Sequence, residues 1–292
     1  MTPSTLETLC FRITARCNLA CSFCRAGSSP AAADYADVAA FQRFVADAQD
    51  GLGLRHVSIS GGEPGIDKRL APLVAWLAER DLHVTVTTNG TSRVSEKLEA
   101  VSQAYPDRLR VRVSLDGDRS LHDALRGDGM HTVAMKEARR LKETFGWLGI
   151  NTIIGPHFVQ HGLDAASVLQ DLRVDEWALI TPVPQGSAQG RVWSPEAILP
   201  PMVDLRNATQ AAGFPGRVVI WNFLGTPHTS ILVTAQNQIV LSGVSGGDDE
   251  PLGSLTAYDL DAIRRVIDEA THRHPRAHFQ WRHWGQHDRH QK

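Results

Sequence analysis

The sequence predicts an α/β fold: a partial, TIM-like (β/α)6 barrel over residues 9–191, with a small C-terminal α+β extension over 192–292 packed on it. Three observations carry this prediction. Strand-like and helix-like stretches alternate about six times, at intervals that suit βαβ units. Polar or glycine-rich punctuation follows the strands, whose C-terminal ends converge on one face in such barrels. Past Gln185 the rhythm gives way to a hairpin and a last helix.

The first strand candidate, Cys10 to Ala15, runs into a cysteine-rich loop. From Val38 to Ala48 the apolar positions Val38, Phe41, Phe44, Val45 and Ala48 recur at helical spacing. His56 to Ser60 reads as a strand ending in Gly61-Gly62-Glu63-Pro64, and Leu70 to Glu79 as a helix. His83 to Thr88 alternates cleanly and stops at Asn89-Gly90. A helix over Ser95 to Ala104 leads to a fourth strand, Leu109 to Leu115, closed by Asp116-Gly117. Then come a helix (Val133 to Phe145), strand five (Ile150 to Ile154), a short helix (Ala165 to Leu172) and strand six (Glu176 to Thr181). The extension reads as a Pro-flanked helix (Pro195 to Ala212) and an apolar Val218 to Trp221. A hairpin (Ile231 to Thr234 and Gln238 to Leu241) turns at Gln236-Asn237. A Gly/Asp loop, Gly243 to Gly253, and a helix over Leu260 to Ala270 complete it.

Bulk composition narrows the function. A length of 292 residues is enough for a substantial core. The net charge of -2 gives no reason to expect nucleic acid as a partner. No apolar run reaches membrane-spanning length and no signal core opens the chain, so a cytoplasmic protein without a membrane partner is expected. Of only four cysteines, three stand in one eight-residue stretch, which is not a disulfide framework and implies a reducing compartment.

That stretch is Cys17-Asn18-Leu19-Ala20-Cys21-Ser22-Phe23-Cys24. Three thiolates in one tight loop suit a soft transition metal, above all iron–sulfur. A four-iron cluster held by three thiolates keeps one iron open to a small-molecule ligand. The alternatives are a zinc loop or structural thiols. Structural zinc takes four protein ligands, and no second Cys or His pair lies at finger spacing.

The pattern C-x-x-x-C-x-Φ-C, with Phe23 as its aromatic, resembles the signature of the radical S-adenosylmethionine (SAM) superfamily, over roughly Leu9 to Arg191. The resemblance implies one 4Fe-4S cluster on Cys17, Cys21 and Cys24, with SAM chelated by the open iron. It also implies a flavodoxin- or ferredoxin-type electron donor. SAM would then be cleaved to methionine and a 5′-deoxyadenosyl radical that takes hydrogen from a substrate C–H bond.

Further motifs stand at successive strand ends. Gly61-Gly62-Glu63-Pro64 matches the family's GGEP, whose glycines let backbone approach a ligand. Glu63 either contacts the SAM ammonium or braces the loop. Ser114 and Asp116 of Ser114-Leu115-Asp116-Gly117 alternate onto one side of their strand, and by resemblance both contact SAM. Asn89 matches a T-N-G whose Asn lies near the ribose, or is a turn residue. Arg126, in an H-D-x-x-R-G pattern, offers a bidentate partner for the SAM carboxylate, or is a surface arginine. Phe23 packs on the adenine or on the barrel wall. Asn151 and Gln185-Gly186 lie where the family lines its substrate cavity, with structural roles equally open, and Cys10 reads as a buried thiol. No catalytic acid, base or hydrogen donor can be singled out.

The extension resembles a degenerate SPASM-type segment. Ser242-Gly243-Val244-Ser245 stands where auxiliary-cluster cysteines would be expected, so one cluster is predicted. The cysteine loop starts at residue 17, leaving no room ahead of it for a leader-binding domain. The expected substrate is therefore a small biosynthetic intermediate, with a ribosomally made peptide as the alternative and a non-enzymatic iron–sulfur module as the competing class. Thr271 to Lys292, holding six of the thirteen histidines, reads as a solvated end.

Overall fold

Period-two patterning builds the sheet. Leu9 and Phe11, Val57 and Ile59, Val84 and Val86, and Val111 and Val113 are all buried. The residues between them, among them Cys10, Arg12, Ser58, Ser60, Thr85, Thr87, Arg112 and Ser114, turn to the opposite face. One face is thus apolar and takes the helices, whereas the other is polar. The computed structural model describes residues 5–155, 158, 169, 171–224, 230–242 and 249–273.

The order is β1 (Thr8–Arg12), α1 (Val38–Leu52), β2 (His56–Ser60), α2 (Leu70–Glu79), β3 (His83–Thr88), α3 (Val94–Ala104) and β4 (Leu109–Ser114). Then follow α4 (Arg119–Arg126), α5 (Met130–Phe145), β5 (Leu148–Ile153), β6 (Glu176–Ile180), α6 (Pro195–Ala211) and β7 (Arg217–Trp221). The last elements are β8 (Ser230–Val233), β9 (Gln238–Ser242), β10 (Glu250–Ser254), β11 (Ala257–Tyr258) and α7 (Leu260–Arg273). All strands lie in one sheet of order β11-β10-β9-β8-β1-β2-β3-β4-β5-β6-β7. Strands β1 to β7 pair in parallel, so their C-terminal ends share one rim.

The helices cover the apolar face. Phe11 of β1 stacks on Phe41 of α1, with ring centroids 3.6 Å apart and 8° between planes. Burying one such side chain contributes about 2–3 kcal/mol. Helix α1 is capped by Asp37, whose carboxylate accepts from Ala40 N at 3.0 Å, and it stops at Gly53 in a left-handed conformation.

The structure departs from the sequence reading in four places. The parallel run continues past six strands, because α6 serves as a crossover that lays β7 beside β6. Strand β8 pairs in parallel with β1 (Leu9 with Ile231, Phe11 with Val233), so the hairpin extends the sheet at its first edge. Residues 250–253, the end of the expected Gly243 to Gly253 loop, belong to β10. Their pairing with β9 tolerates Pro251 because the register shifts between Pro251 and Gly253. Helix α4, absent from the sequence reading, is only eight residues long, so its apolar stripe of Leu121, Ala124 and Leu125 spans too few turns to stand out as a period. Most of the helix expected over Ala165 to Leu172, the glycine-rich 243–248 stretch and the tail beyond residue 273 lie outside the described residues.

Candidate active site at the strand ends

The cysteine loop is gripped from both sides. From the β2 end, Gly62 N donates to Thr14 O at 2.7 Å and Glu63 N to Arg16 O at 2.9 Å. The two glycines are required here by the chain itself. A Cβ at Gly61 would lie 2.5 Å from Thr14 O, and one at Gly62 would lie 2.0 Å from Arg16 O. From the β6 end, Ser187 N donates to Cys24 O at 2.9 Å and Arg25 Nε to Gln185 Oε1 at 2.9 Å. Gly186, at φ +60°, leaves no room for a Cβ, which would fall 2.4 Å from Arg25 O. Gln185 and Gly186 therefore clamp the loop.

The loop presents its thiols to a cavity of about 230 Å³ at the strand ends. Cys17, Cys21 and Cys24 all line it, together with Phe23, Gly61, Gly62, Asn89, Ser114 and Arg126. Residues from five separate segments thus meet around one space. Cys10, on β1, is not part of that lining. Among the described residues no three His, Cys, Asp or Glu side chains converge as they would around a single ion. The thiols instead ring a cavity wall, which suits a multi-iron cluster better than zinc.

Local donors fit sulfur ligands. Leu19 N and Asn89 Nδ2 both point to Cys17 Sγ, at 3.4 and 3.6 Å. Burial pushes the Cys17 thiol up to about 11 and raises Cys21 as well, while Arg126 acts on Cys21 in the opposite sense. Three thiolates so placed are held best by cations bound among them.

Asn89 is almost fully buried, and its side chain is locked. Its Nδ2 donates to Asn18 Oδ1 at 3.1 Å, and its Oδ1 accepts from Thr91 N at 2.9 Å. Ser114 ends β4 on the cavity wall. Arg126, at the end of α4, donates through Nε to Asp116 Oδ2 at 2.6 Å, and its guanidinium lies 5.2 Å from the Phe23 ring centroid. Its terminal nitrogens make no hydrogen bond to the described residues, so a fork faces the cavity. Burial lowers its pKa, but the charges of Asp116 and Cys21 outweigh that and leave it raised.

Two expected contacts stand behind the wall instead of on it. Glu63 is fully buried. Its Oε1 accepts from Gly65 N (3.1 Å), Thr88 Oγ1 (2.7 Å) and Ser92 Oγ (2.5 Å), and its Oε2 from Asn89 N (2.7 Å). Every oxygen is occupied, so Glu63 ties the β2 and β3 ends together. Burial raises its pKa, opposed by these same donors. Asp116 is also fully buried, taking Arg126 on Oδ2 and Ile153 N (2.8 Å) on Oδ1. It lies past the end of β4, where strand alternation no longer places it beside Ser114.

Sequence reasoning missed several supports. His122 is fully buried, and its Nδ1 accepts from Asp116 N at 3.1 Å, while Nε2 has no hydrogen-bond partner among the described residues. Burial pushes His122 down to about 4, so it braces Asp116 as a neutral ring. Its place in H-D-x-x-R-G, four residues before Arg126, was the available signal. Thr88 and Ser92 gave no signal beyond their turn-like surroundings.

Known proteins share this fold. The family model described as the radical SAM superfamily matches residues 11–165. The antilisterial bacteriocin subtilosin biosynthesis protein AlbA of Bacillus subtilis (strain 168) is 33% identical over 118 residues, which is 40% of this chain and 26% of AlbA. An AdoMet-dependent heme synthase of Nitratidesulfovibrio vulgaris is 25% identical over 190 residues, 64% of this chain and 51% of that protein. The chain therefore spans about half or less of these relatives' length. Among solved structures, Streptococcus suis SuiB bound to SAM superposes with a TM-score of 0.72 at 16% identity, covering 89% of this chain and 66% of that one. SuiB has also been solved bound to its precursor peptide SuiA. With the family model matching more than half of its residues, the chain belongs to the radical SAM superfamily.

Proposed function

We propose that Cys17, Cys21 and Cys24 hold one 4Fe-4S cluster, and that SAM lies against it in the 230 Å³ cavity. The observation that carries this reading is the convergence of all three thiols with Asn89, Ser114 and Arg126 on that one space. When bound, the cluster supplies the electron that cleaves SAM, giving a 5′-deoxyadenosyl radical that takes hydrogen from a substrate C–H bond. The protein's part is to bind and orient. Gly61 and Gly62 bring the β2 rim against the cluster loop, and the Arg126 fork pairs with the SAM carboxylate. Ser114 and Asn89 offer polar contacts, and Phe23 offers an apolar ring. Glu63 and Asp116 keep these groups in place from behind. Ser242-Gly243-Val244-Ser245, standing where auxiliary-cluster cysteines would be expected, supports a single cluster.

Among the described residues no helix is long and apolar enough to cross a membrane. The reading includes work in the cytoplasm with a flavodoxin- or ferredoxin-type donor. The substrate is a small biosynthetic intermediate. The heme synthase, which matches more of this chain than AlbA does, supports that choice. A peptide is the second reading, favoured by similarity to a bacteriocin biosynthesis protein.

The test is deuterium transfer. Reconstituted protein, SAM and dithionite are incubated anaerobically with deuterated small-molecule candidates and with deuterated peptides. Deuterium in 5′-deoxyadenosine from a small molecule is expected. Deuterium from peptides alone would replace the first reading with the second.

A further inference from the structure

Beside the thiol cavity lies a second, open chamber of about 620 Å³, lined among others by Arg12, Arg25, Arg191, Gln185 and Asp249. Arg25 lines both spaces, so the two adjoin. Among the described residues three arginines line it against a single carboxylate. That excess matters because two of the three, Arg12 and Arg25, are half-buried.

Arg12 ends β1. Its neighbours Leu9 and Phe11 are fully buried, with Phe11 against α1, so alternation turns Cys10 and Arg12 to the polar face. Among the described residues Arg12 has neither a hydrogen-bond nor an ion-pair partner. Among the described residues Asp249 is the one carboxylate lining the chamber, and no ion pair joins it to Arg12 or Arg25. The Arg25 guanidinium is spent on neutral acceptors, Gln185 Oε1 and Ser242 Oγ. Ser242 in turn donates to Asp249 Oδ1 at 3.1 Å, which holds that carboxylate on the chamber wall. Burial lowers the pKa of Arg12, and the nearby charge of Asp249, which opposes this, does not offset it.

A partly buried, unpaired guanidinium is costly unless an anion completes it. Its planar fork matches carboxylate and phosphate oxygens. We infer that this chamber binds an oxyanionic group of the substrate against Arg12, beside Arg25, and so presents the rest of the substrate to the thiol cavity. This deepens, and rests on, the reading of that cavity as the radical SAM centre. It makes the substrate an acid.

Calorimetric titration of the reconstituted holoenzyme with SAM tests it, using three probes: inorganic phosphate, glutarate, and an acetylated, amidated triglutamate peptide. Neutral glutaramide serves as control. Binding of at least one anion, but not of glutaramide, is expected, and the probe that binds best identifies the source as phosphate, small acid or peptide side chain. Arg12→Gln should weaken that binding about tenfold, the scale of one charge-assisted contact. Asp249→Asn should tighten it several-fold, a gain that a misfolded variant cannot imitate. Binding of none of the anions, equal binding of glutaramide, or affinity unchanged by both substitutions would overturn the inference. Anion binding by a wild type that makes no 5′-deoxyadenosine would sink the radical reading and leave the anion site standing, whereas the converse result would do the reverse.

Discussion

Glu63 shows how one buried carboxylate can organise a site without lining it. Four donors from the ends of two strands converge on it, two backbone N–H groups and two hydroxyls. Glu63→Ala leaves all four without that acceptor and should cost about 3–5 kcal/mol of stability, read as a lowered urea midpoint. Were Glu63 mainly a SAM ligand, the same change would weaken SAM binding and leave that midpoint nearly unmoved. Two buried histidines make a second prediction at this scale. Burial holds His122 near 4 and His56 near 3. The unfolded chain takes up protons on both below about pH 6.5, and the folded chain does not. Stability of the cluster-free chain should therefore fall from pH 6.5 towards 4, by up to about 1.4 kcal/mol per unit for each group. A His122→Asn variant should lose less stability than wild type when urea midpoints at pH 7 and pH 5 are compared. The cysteines and the glycines of GGEP were legible because chemistry and local sterics fix them in a few adjacent residues. The bracing role of Glu63 was not, since Thr88 and Ser92 stand 25 and 29 residues further on. Arg12 was equally hidden, because an arginine in an alternating strand reads as solvent-facing.

At the scale of elements, the cluster loop is a clamped segment. Its backbone is fixed by the β2 rim through Gly62 and by the turn after β6 through Gly186. Gly186→Ala adds both a Cβ 2.4 Å from Arg25 O and a left-handed backbone penalty. The expected outcome is loss of most bound iron after reconstitution, with the far-ultraviolet circular dichroism close to wild type, because only the three-residue 3-10 turn Gly186–Ala188 is touched. Full iron content in that variant would mean that the turn after β6 does not position the cysteines. Periodicity revealed the strands and longer helices. It did not show α4, whose eight residues are fixed by the Asp118 cap and by the Arg126–Asp116 pair and carry only a short apolar stripe. Nor could it show β10, which exists only through its pairing with β9.

Across the whole molecule, parallel pairing from β1 to β7 brings residues about a hundred positions apart to one rim. The C-terminal hairpin, joined to β1, sets Ser242 against Arg25 and so closes the far side of the cluster loop. The central claim is that the three thiols and the polar groups of that rim form a single reductive SAM-cleaving centre. Formation of 5′-deoxyadenosine from SAM and dithionite by anaerobically reconstituted protein tests it most directly. The wild type should form it and Cys21→Ala should form none; a wild type that forms none, or an equal yield from Cys21→Ala, would contradict the claim.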